Sequence, residues 1–354
     1  MQIEEILRLA KEIDASDIHM APGSPLMFRI NGRLVSQNTE IMKPKEVEDT
    51  IRPVMTEEQL EDLERIGELD SAFSIPGFSR VRVNIFSQRG TYAASFRILS
   101  YEVPTPESLG IPKAVVELTN RKRGLILVTG TAGSGKSTTL ASLIEVIAER
   151  DYKNIITLED PIEYLHSHKK SIVSQREIGC DTNDYADGIR AALRQDPDVI
   201  MVGELYDMDT ISMALVAAET GHLVFSTLHT VGAVNTIDRI IDIFPPNQQQ
   251  QIRVQLSMLL QTVVSQQLVP SIDGGVVPVF EIMHVNPAIR NLIRESKSHQ
   301  IETIIGMSSG EGMITMDNSL FALYQEGKIT AETALHHSLH PDLMENRLRQ
   351  PKGR

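Results

Sequence analysis

Eight residues constrain this chain more than any other stretch: Gly130, Thr131, Ala132, Gly133, Ser134, Gly135, Lys136 and Ser137, continued by Thr138. They fit G-x-x-x-x-G-K-[ST], and their surroundings are those the pattern needs. The apolar, β-rich run 125–129 precedes them and the helical stretch 138–149 follows. A strand that turns through glycines into a helix is a unit of a layered α/β fold. Glycines let the backbone curl so that successive N–H groups point at one phosphate, and the helix N-terminus adds its positive end. Lys136 is then placed to neutralise β- and γ-phosphates, and the Ser137 hydroxyl to ligate Mg²⁺. A glycine-rich turn without a ligand is the bland alternative, and the strand–loop–helix context weighs against it.

Three more apolar runs follow, each separated from the next by a helical stretch: NIITLE from Asn154, DVIMVG from Asp198 and HLVFSTL from His222. Nearly continuous apolar strands between helices predict a mostly parallel sheet covered on both faces. Ligands gather at the carboxyl ends of such strands. Glu159, Asp160 and Glu163 stand at or beyond the end of the first run, with a solvated acidic turn as the alternative reading. Glu204 ends the second, where an acid can hold Mg²⁺ directly or through water, or orient an attacking water. Gly203 before it is expected to let the backbone pass close to the phosphate loop. His222 and His229 flank the third run, ~23 Å apart along an extended strand, too far to share one metal. After about Pro245 the pattern reads as mostly helical, with helices expected over 248–268, 287–296, 298–305 and 317–326.

Residues 1–99 mix short helical and strand patterns, including an Asn31-Gly32 hairpin signal and an antiparallel pair over 80–86 and 91–99. They predict a small α+β domain. Residues 100–113 gather three prolines and a glycine and read as a linker, leaving 114–354 as the phosphate-binding domain with a helical C-terminal part. The polar tail after about Leu339 is expected to be loose.

Hydrophobic residues make up 41% and charged residues 23% of the 354, as in ordinary globular proteins. The net charge of -13 gives no overall drive onto nucleic acid or an anionic bilayer, so a nucleic-acid partner is not expected. The one cysteine, Cys180, excludes an intramolecular disulfide and a four-cysteine metal site, and is expected as a small packed side chain. The first sixteen residues read as an acidic amphipathic helix rather than a signal peptide. No run of 18 apolar residues occurs, so a cytoplasmic protein is expected, peripheral to the inner face of the cytoplasmic membrane through a partner.

Taken in order, GTAGSGKST, ITLEDPIEY, DVIMVGE and TGHLVFSTLHT resemble the Walker A, Asp box, Walker B and His box of the secretion-type hexameric ATPases. That family drives type II secretion, type IV pili and related machines. The resemblance extends to ASDIH at 15–19 and RVRVN at 80–84. Ala288, Ile289, Arg290, Asn291, Leu292, Ile293, Arg294 and Glu295 are identical to the octapeptide that marks the family's pilus-retraction branch.

The resemblance implies a RecA-like P-loop core with a PAS-like N-terminal domain, ATP and Mg²⁺ as ligands, and a homo-hexamer acting on an inner-membrane pilus platform protein. Glu163 would be the general base, and Glu204 would act on magnesium and water. His222 and His229 would sense or contact the γ-phosphate, and Arg82 and Arg97 would reach the phosphates across a domain or subunit junction. Hydrolysis would power pilus retraction and twitching motility. Pilus extension or type II secretion is the alternative within the family, although those members carry a longer N-terminal region and a tetracysteine zinc module. With one cysteine, no structural zinc is expected here. A DNA-transfer motor and a non-hydrolysing regulator are the alternatives beside the family. One departure stands out: the usual Gly-Glu-(Met/Leu)-Arg-Asp reads Gly203-Glu204-Leu205-Tyr206-Asp207.

Overall fold

Two sheets organise the chain, one antiparallel and one mostly parallel. The structure, a computed structural model, describes residues 2–30, 33–75, 78–99 and 102–349. It divides into one unit of Met1–Glu102 with Glu163–Leu165, and another of Val103–Ile162 with His166–Arg354.

The first unit contains α1 (Ile3–Glu12), β1 (Asp17–Met20), β2 (Pro25–Ile30), β3 (Arg33–Ile41), α2 (Pro44–Ile51), α3 (Glu57–Ile66), β4 (Glu68–Ile75), β5 (Ser79–Gln88) and β6 (Thr91–Ile98). Its six strands are ordered β3-β2-β1-β6-β5-β4, all antiparallel. Ile3, Ile6, Leu7 and Ala10 recur at helical spacing in α1 and are buried. Val81, Val83 and Ile85 alternate inward along β5. The pairs Ile30–Arg33 and Gln88–Thr91 place both hairpins where the sequence predicts them. The Asn31-Gly32 turn itself lies outside the described residues.

Residues 103–112 hold neither strand nor α-helix. The second unit continues through α4 (Lys113–Val116), β7 (Gly124–Thr129), α5 (Lys136–Arg150), β8 (Asn154–Glu159), β9 (Ile172–Glu177), α6 (Tyr185–Ala192), β10 (Val199–Val202), α7 (Met208–Glu219), β11 (Leu223–Leu228), α8 (Ala233–Asp242) and α9 (Pro246–Leu259). It ends with β12 (Leu260–Pro270), β13 (Val276–His284), α10 (Pro287–Arg294), α11 (Ile301–Met307), α12 (Met316–Gln325), α13 (Ala331–His337) and α14 (Pro341–Leu348). The sheet order is β13-β12-β7-β11-β10-β8-β9, parallel throughout except for β13 against β12. Leu125 and Leu127 of β7 join one apolar layer while Ile126 and Val128 join the other, so both faces are covered. This is the α/β core with a smaller α+β unit and a helical C-terminal region that the sequence predicts.

Three local expectations are corrected. The helix expected over 248–268 ends at Leu259, and Leu260–Pro270 is a strand beside β7. The β-branched run Thr262-Val263-Val264 suits a buried strand, and β13 completes a hairpin against it. The tail is ordered through α14, because Met344 is buried against Met316, Leu320 and Ala334. Cys180 is exposed in the turn after β9, where Glu177 Oε1 lies 3.7 Å from its Sγ.

Candidate active site

The four segments that follow β7, β8, β10 and β11 lie at one edge of the parallel sheet. The phosphate loop leaves β7, Asp160 follows β8, Glu204 follows β10 and His229 follows β11. The register explains the alignment, since Leu158 pairs with Val202, Val202 with Ser226 and Leu228 with Thr129.

The loop is built on backbone that side chains would block. Gly130 has φ 147°, and a Cβ there would fall 2.2 Å from the Gln266 carbonyl oxygen. At Gly135, φ 88°, it would fall 2.9 Å from Gln266 Nε2. Gln266 also accepts a hydrogen bond from Thr139 Oγ1 at 2.8 Å, so this buried residue of β12 braces both the loop and the first turn of α5. The sequence does not disclose it, because 248–268 reads as one helix; the polar Ser265-Gln266-Gln267 inside an apolar run is the available signal. Ser134 Oγ is buried without a hydrogen-bond partner among the described residues, an orphan that a phosphate oxygen would satisfy. The cradle therefore fits a nucleotide phosphate.

Lys136 is 7% exposed, and its Nζ donates to the carbonyls of Gly130 and Thr131, each at 2.9 Å. The same Nζ lies 3.5 Å from His229 Nδ1, while His229 Nε2 lies 3.2 Å from Glu204 Oε2. An ammonium can only donate, so Nδ1 accepts, and this network puts the ring proton on Nε2, facing the carboxylate. Histidine thus bridges the loop lysine and the strand-end acid. Among the described residues no group of three or more His, Cys, Asp or Glu could cage a metal ion. A hydroxyl and a carboxylate beside a phosphate suit Mg²⁺, which keeps phosphate and water oxygens and takes only one or two protein ligands. The exposed Ser137 in the first turn of α5 and Glu204 are the residues that would hold it.

Gly203 is required for a reason other than the expected one. A Cβ there would fall 2.7 Å from the Tyr185 hydroxyl and 3.2 Å from the Leu158 carbonyl, so the close approach is to α6 and β8, not to the phosphate loop. Burial, with Asp160, Glu204 and Glu159 nearby, pushes the Tyr185 phenol well above its ordinary range and keeps it protonated. Tyr206 is 56% exposed and packs edge-on against Tyr185, ring centroids 6.1 Å apart. Burial and the carboxylates of Asp207, Asp184 and Asp160 raise its pKa as well.

Glu159 is tied down, accepting from Thr157 Oγ1 at 2.6 Å and Gln175 Nε2 at 3.0 Å. This joins β8 to β9. Glu163 is exposed and belongs to the first unit. His222 is not brought to the loop. It precedes β11 at the opposite edge of the sheet, its carbonyl accepting from Gly124 N and its Nδ1 lying 3.1 Å from Thr220 Oγ1 and 3.0 Å from the Ala217 carbonyl oxygen. A contact from His222 to a phosphate in the same subunit's loop does not fit this placement, because a six-residue strand separates the two edges by ~20 Å.

Arg82 and Arg97 are direct cross-strand neighbours on β5 and β6. The row continues through Asp17 to Arg29, with Arg97 Nε donating to Asp17 at 2.8 Å and Arg29 Nε 3.9 Å from the same carboxylate. Three arginines against one aspartate leave this row of the first unit net positive, and facing like charges are unfavourable without an anion between them.

Residues 288–295 fall on α10 and the turn after it. Asn286 caps the helix by accepting from Ile289 N at 3.0 Å, Ile289 and Ile293 are buried, and Leu292 is partly so. Arg290 Nε donates to the Ser257 carbonyl at 2.9 Å, while Ala288, Asn291, Arg294 and Glu295 are exposed.

The family model described as Type II/IV secretion system protein matches residues 1–276. The chain belongs to that family. Among members of the family, the type IV pilus retraction ATPase PilT of Pseudomonas aeruginosa is 44% identical over 342 residues, covering 97% of this chain and 99% of that one. A twitching motility protein of Neisseria gonorrhoeae is 43% identical over 319 residues, covering 90% of this chain and 85% of that one. The crystal structure of the pilus retraction motor PilT with bound ADP superposes with a TM-score of 0.92 at 48% identity, covering 98% and 99% of the two chains.

Proposed function

We propose that this chain is an ATP hydrolase that powers retraction of a type IV pilus. The observation that carries the reading is the line from Lys136 through His229 to Glu204 across a glycine-built phosphate loop, in a chain aligned with PilT over 97% of its length.

Residues 130–138 bind the phosphates through backbone N–H groups, Lys136 and the first turn of α5. Ser137 would hold Mg²⁺ with Glu204, directly or through water, and the ion would supply positive charge against the phosphates. His229 exchanges its contact with Lys136 for one to the γ-phosphate and keeps Glu204 oriented. Glu163 accepts the proton of the attacking water, and Arg82 and Arg97 offset negative charge developing on the transferred phosphoryl group. Asp17 must then release Arg97. The unit of function is a homo-hexamer at the cytoplasmic face of the inner membrane, which passes a stroke to a platform protein. Among the described residues no helix is long and apolar enough to cross a membrane; the proposed membrane contact is the platform protein.

The test is complementation of a piliated strain that lacks its own retraction ATPase. Wild type should restore twitching and Lys136→Ala should not. A wild type that hydrolyses ATP yet leaves the pili extended would overturn retraction as the output.

A further inference from the structure

The β12–β13 hairpin carries a buried carboxylate that the proposed chemistry does not use. Glu281, on β13, is 2% exposed, and both of its oxygens are occupied. Oε1 accepts the Ala233 N–H at 2.6 Å and Oε2 accepts the Met316 N–H at 3.2 Å. These two N–H groups open two different helices. Ala233 begins α8, four residues after His229, and Met316 begins α12, which packs on the β12–β13 hairpin with α13 and α14. First-turn amides have no partner in their own helix, and helix N-termini favour negative charge, so each helix gains from the same side chain. Ser265, the cross-strand neighbour of Glu281 on β12, accepts the Gly232 N–H at 2.9 Å. Two consecutive amides of the segment leading from His229 into α8 are thus fastened to one hairpin. Burial raises the Glu281 carboxyl above the ordinary carboxylate range, by more than its two N–H bonds lower it. For stability alone an apolar side chain would fill this space at lower cost, since a buried acid must be fully bonded to be tolerated.

We infer that Glu281 is a positioning residue that couples the C-terminal helices beginning at α12 to the segment carrying His229. The inference rests on the ATPase reading, in which His229 contacts the γ-phosphate, and it names the route by which displacement of the C-terminal helices reaches that contact.

Hydrogen exchange on the full chain, with and without a non-hydrolysable ATP analogue, tests the coupling. Glu281→Gln keeps the volume but turns one acceptor into a donor facing an N–H, so one anchor is lost. Ala233→Pro removes only the α8 anchor, because proline is tolerated at the first helical position. In wild type, the analogue should slow exchange of the amides at 316–319. Each variant should lose that response while binding the analogue within about twofold of wild type. Each should also hydrolyse ATP about tenfold more slowly, the effect of one hydrogen bond to a charged group. A carboxylate that served stability alone would lower the melting temperature and leave the exchange response intact, and that result in either variant would overturn the inference. So would a wild type with no response at 316–319. A wild type that binds the analogue but never turns over ATP would sink the ATPase reading, while the exchange response would still decide the coupling.

Discussion

Glu145 shows how single side chains hold the helix that follows the phosphate loop. It projects from α5 to His166 Nδ1 at 2.6 Å and Lys169 Nζ at 2.5 Å. Burial pushes its carboxyl up, but the hydrogen bonds and charges of His166 and Lys169 outweigh it and leave the pKa lowered. A carboxyl with a lowered folded pKa stabilises above its unfolded value of 4.5, and that contribution is lost as pH falls through the folded value. Urea melts of Glu145→Gln should therefore show lower stability than wild type at pH 7 and a shallower loss below pH 4.5. Equal acid slopes would refute this. Gly203 makes a second residue-scale case. Gly203→Ala must displace the Tyr185 hydroxyl or the end of β8, so it should lower turnover through misplacement of the adjacent Glu204, with phosphate-loop affinity little changed. Measured kcat and nucleotide Kd would separate those effects. At Tyr206, the surrounding Asp160, Asp184 and Asp207 supply acceptors for a guanidinium, so Tyr206→Arg should fold as well as wild type in a thermal melt.

Among the elements, β12 contributes most that the sequence did not disclose. Its Gln266 backs Gly130 and Gly135 and accepts from Thr139, so Gln266→Leu strands a buried hydroxyl at a cost of about 1–3 kcal/mol. A thermal or urea melt checks the number, and nucleotide affinity should fall with it. The strands that carry the loop, Glu204 and His229 were legible because each is a short apolar run ended by a distinctive polar residue. β12 was not, since Leu260–Leu268 continues the apolar content of α9 without a break, and only a neighbouring strand decides between helix and sheet for such a run. Likewise, β9 is a lone polar edge strand whose pairing with β8 no local pattern announces. The α10 octapeptide was legible as an amphipathic helix, whereas the capture of Arg290 by the Ser257 carbonyl depends on packing against α9. Tyr185 and Glu281 escaped notice because an aromatic and an acid in ordinary helical and strand contexts acquire meaning only from partners distant in sequence. His222 was the reverse case, a motif residue that the fold places at the far edge of the sheet.

At the scale of the whole molecule, the phosphates and the arginines proposed to act on them belong to different parts of the chain. The positive row through Arg82 and Arg97 belongs to the first, and the phosphate loop to the second. If those arginines act across subunits, Arg82→Ala and Lys136→Ala chains should each be inactive alone and should regain part of the activity when mixed, because a mixed ring contains some complete sites. Mixtures that stay inactive would confine the arginines to their own subunit. Whether Lys136, His229 and Glu204 form a working ATPase site is read most directly from steady-state hydrolysis measured beside nucleotide affinity. Wild type should turn over ATP, and Glu204→Gln should bind ATP with little change while hydrolysing at least about 100-fold more slowly, as loss of a positioned acid or base predicts. Undiminished turnover in Glu204→Gln, or a wild type that binds ATP in a hexameric assembly and never cleaves it, would show that these three residues are not a hydrolytic site.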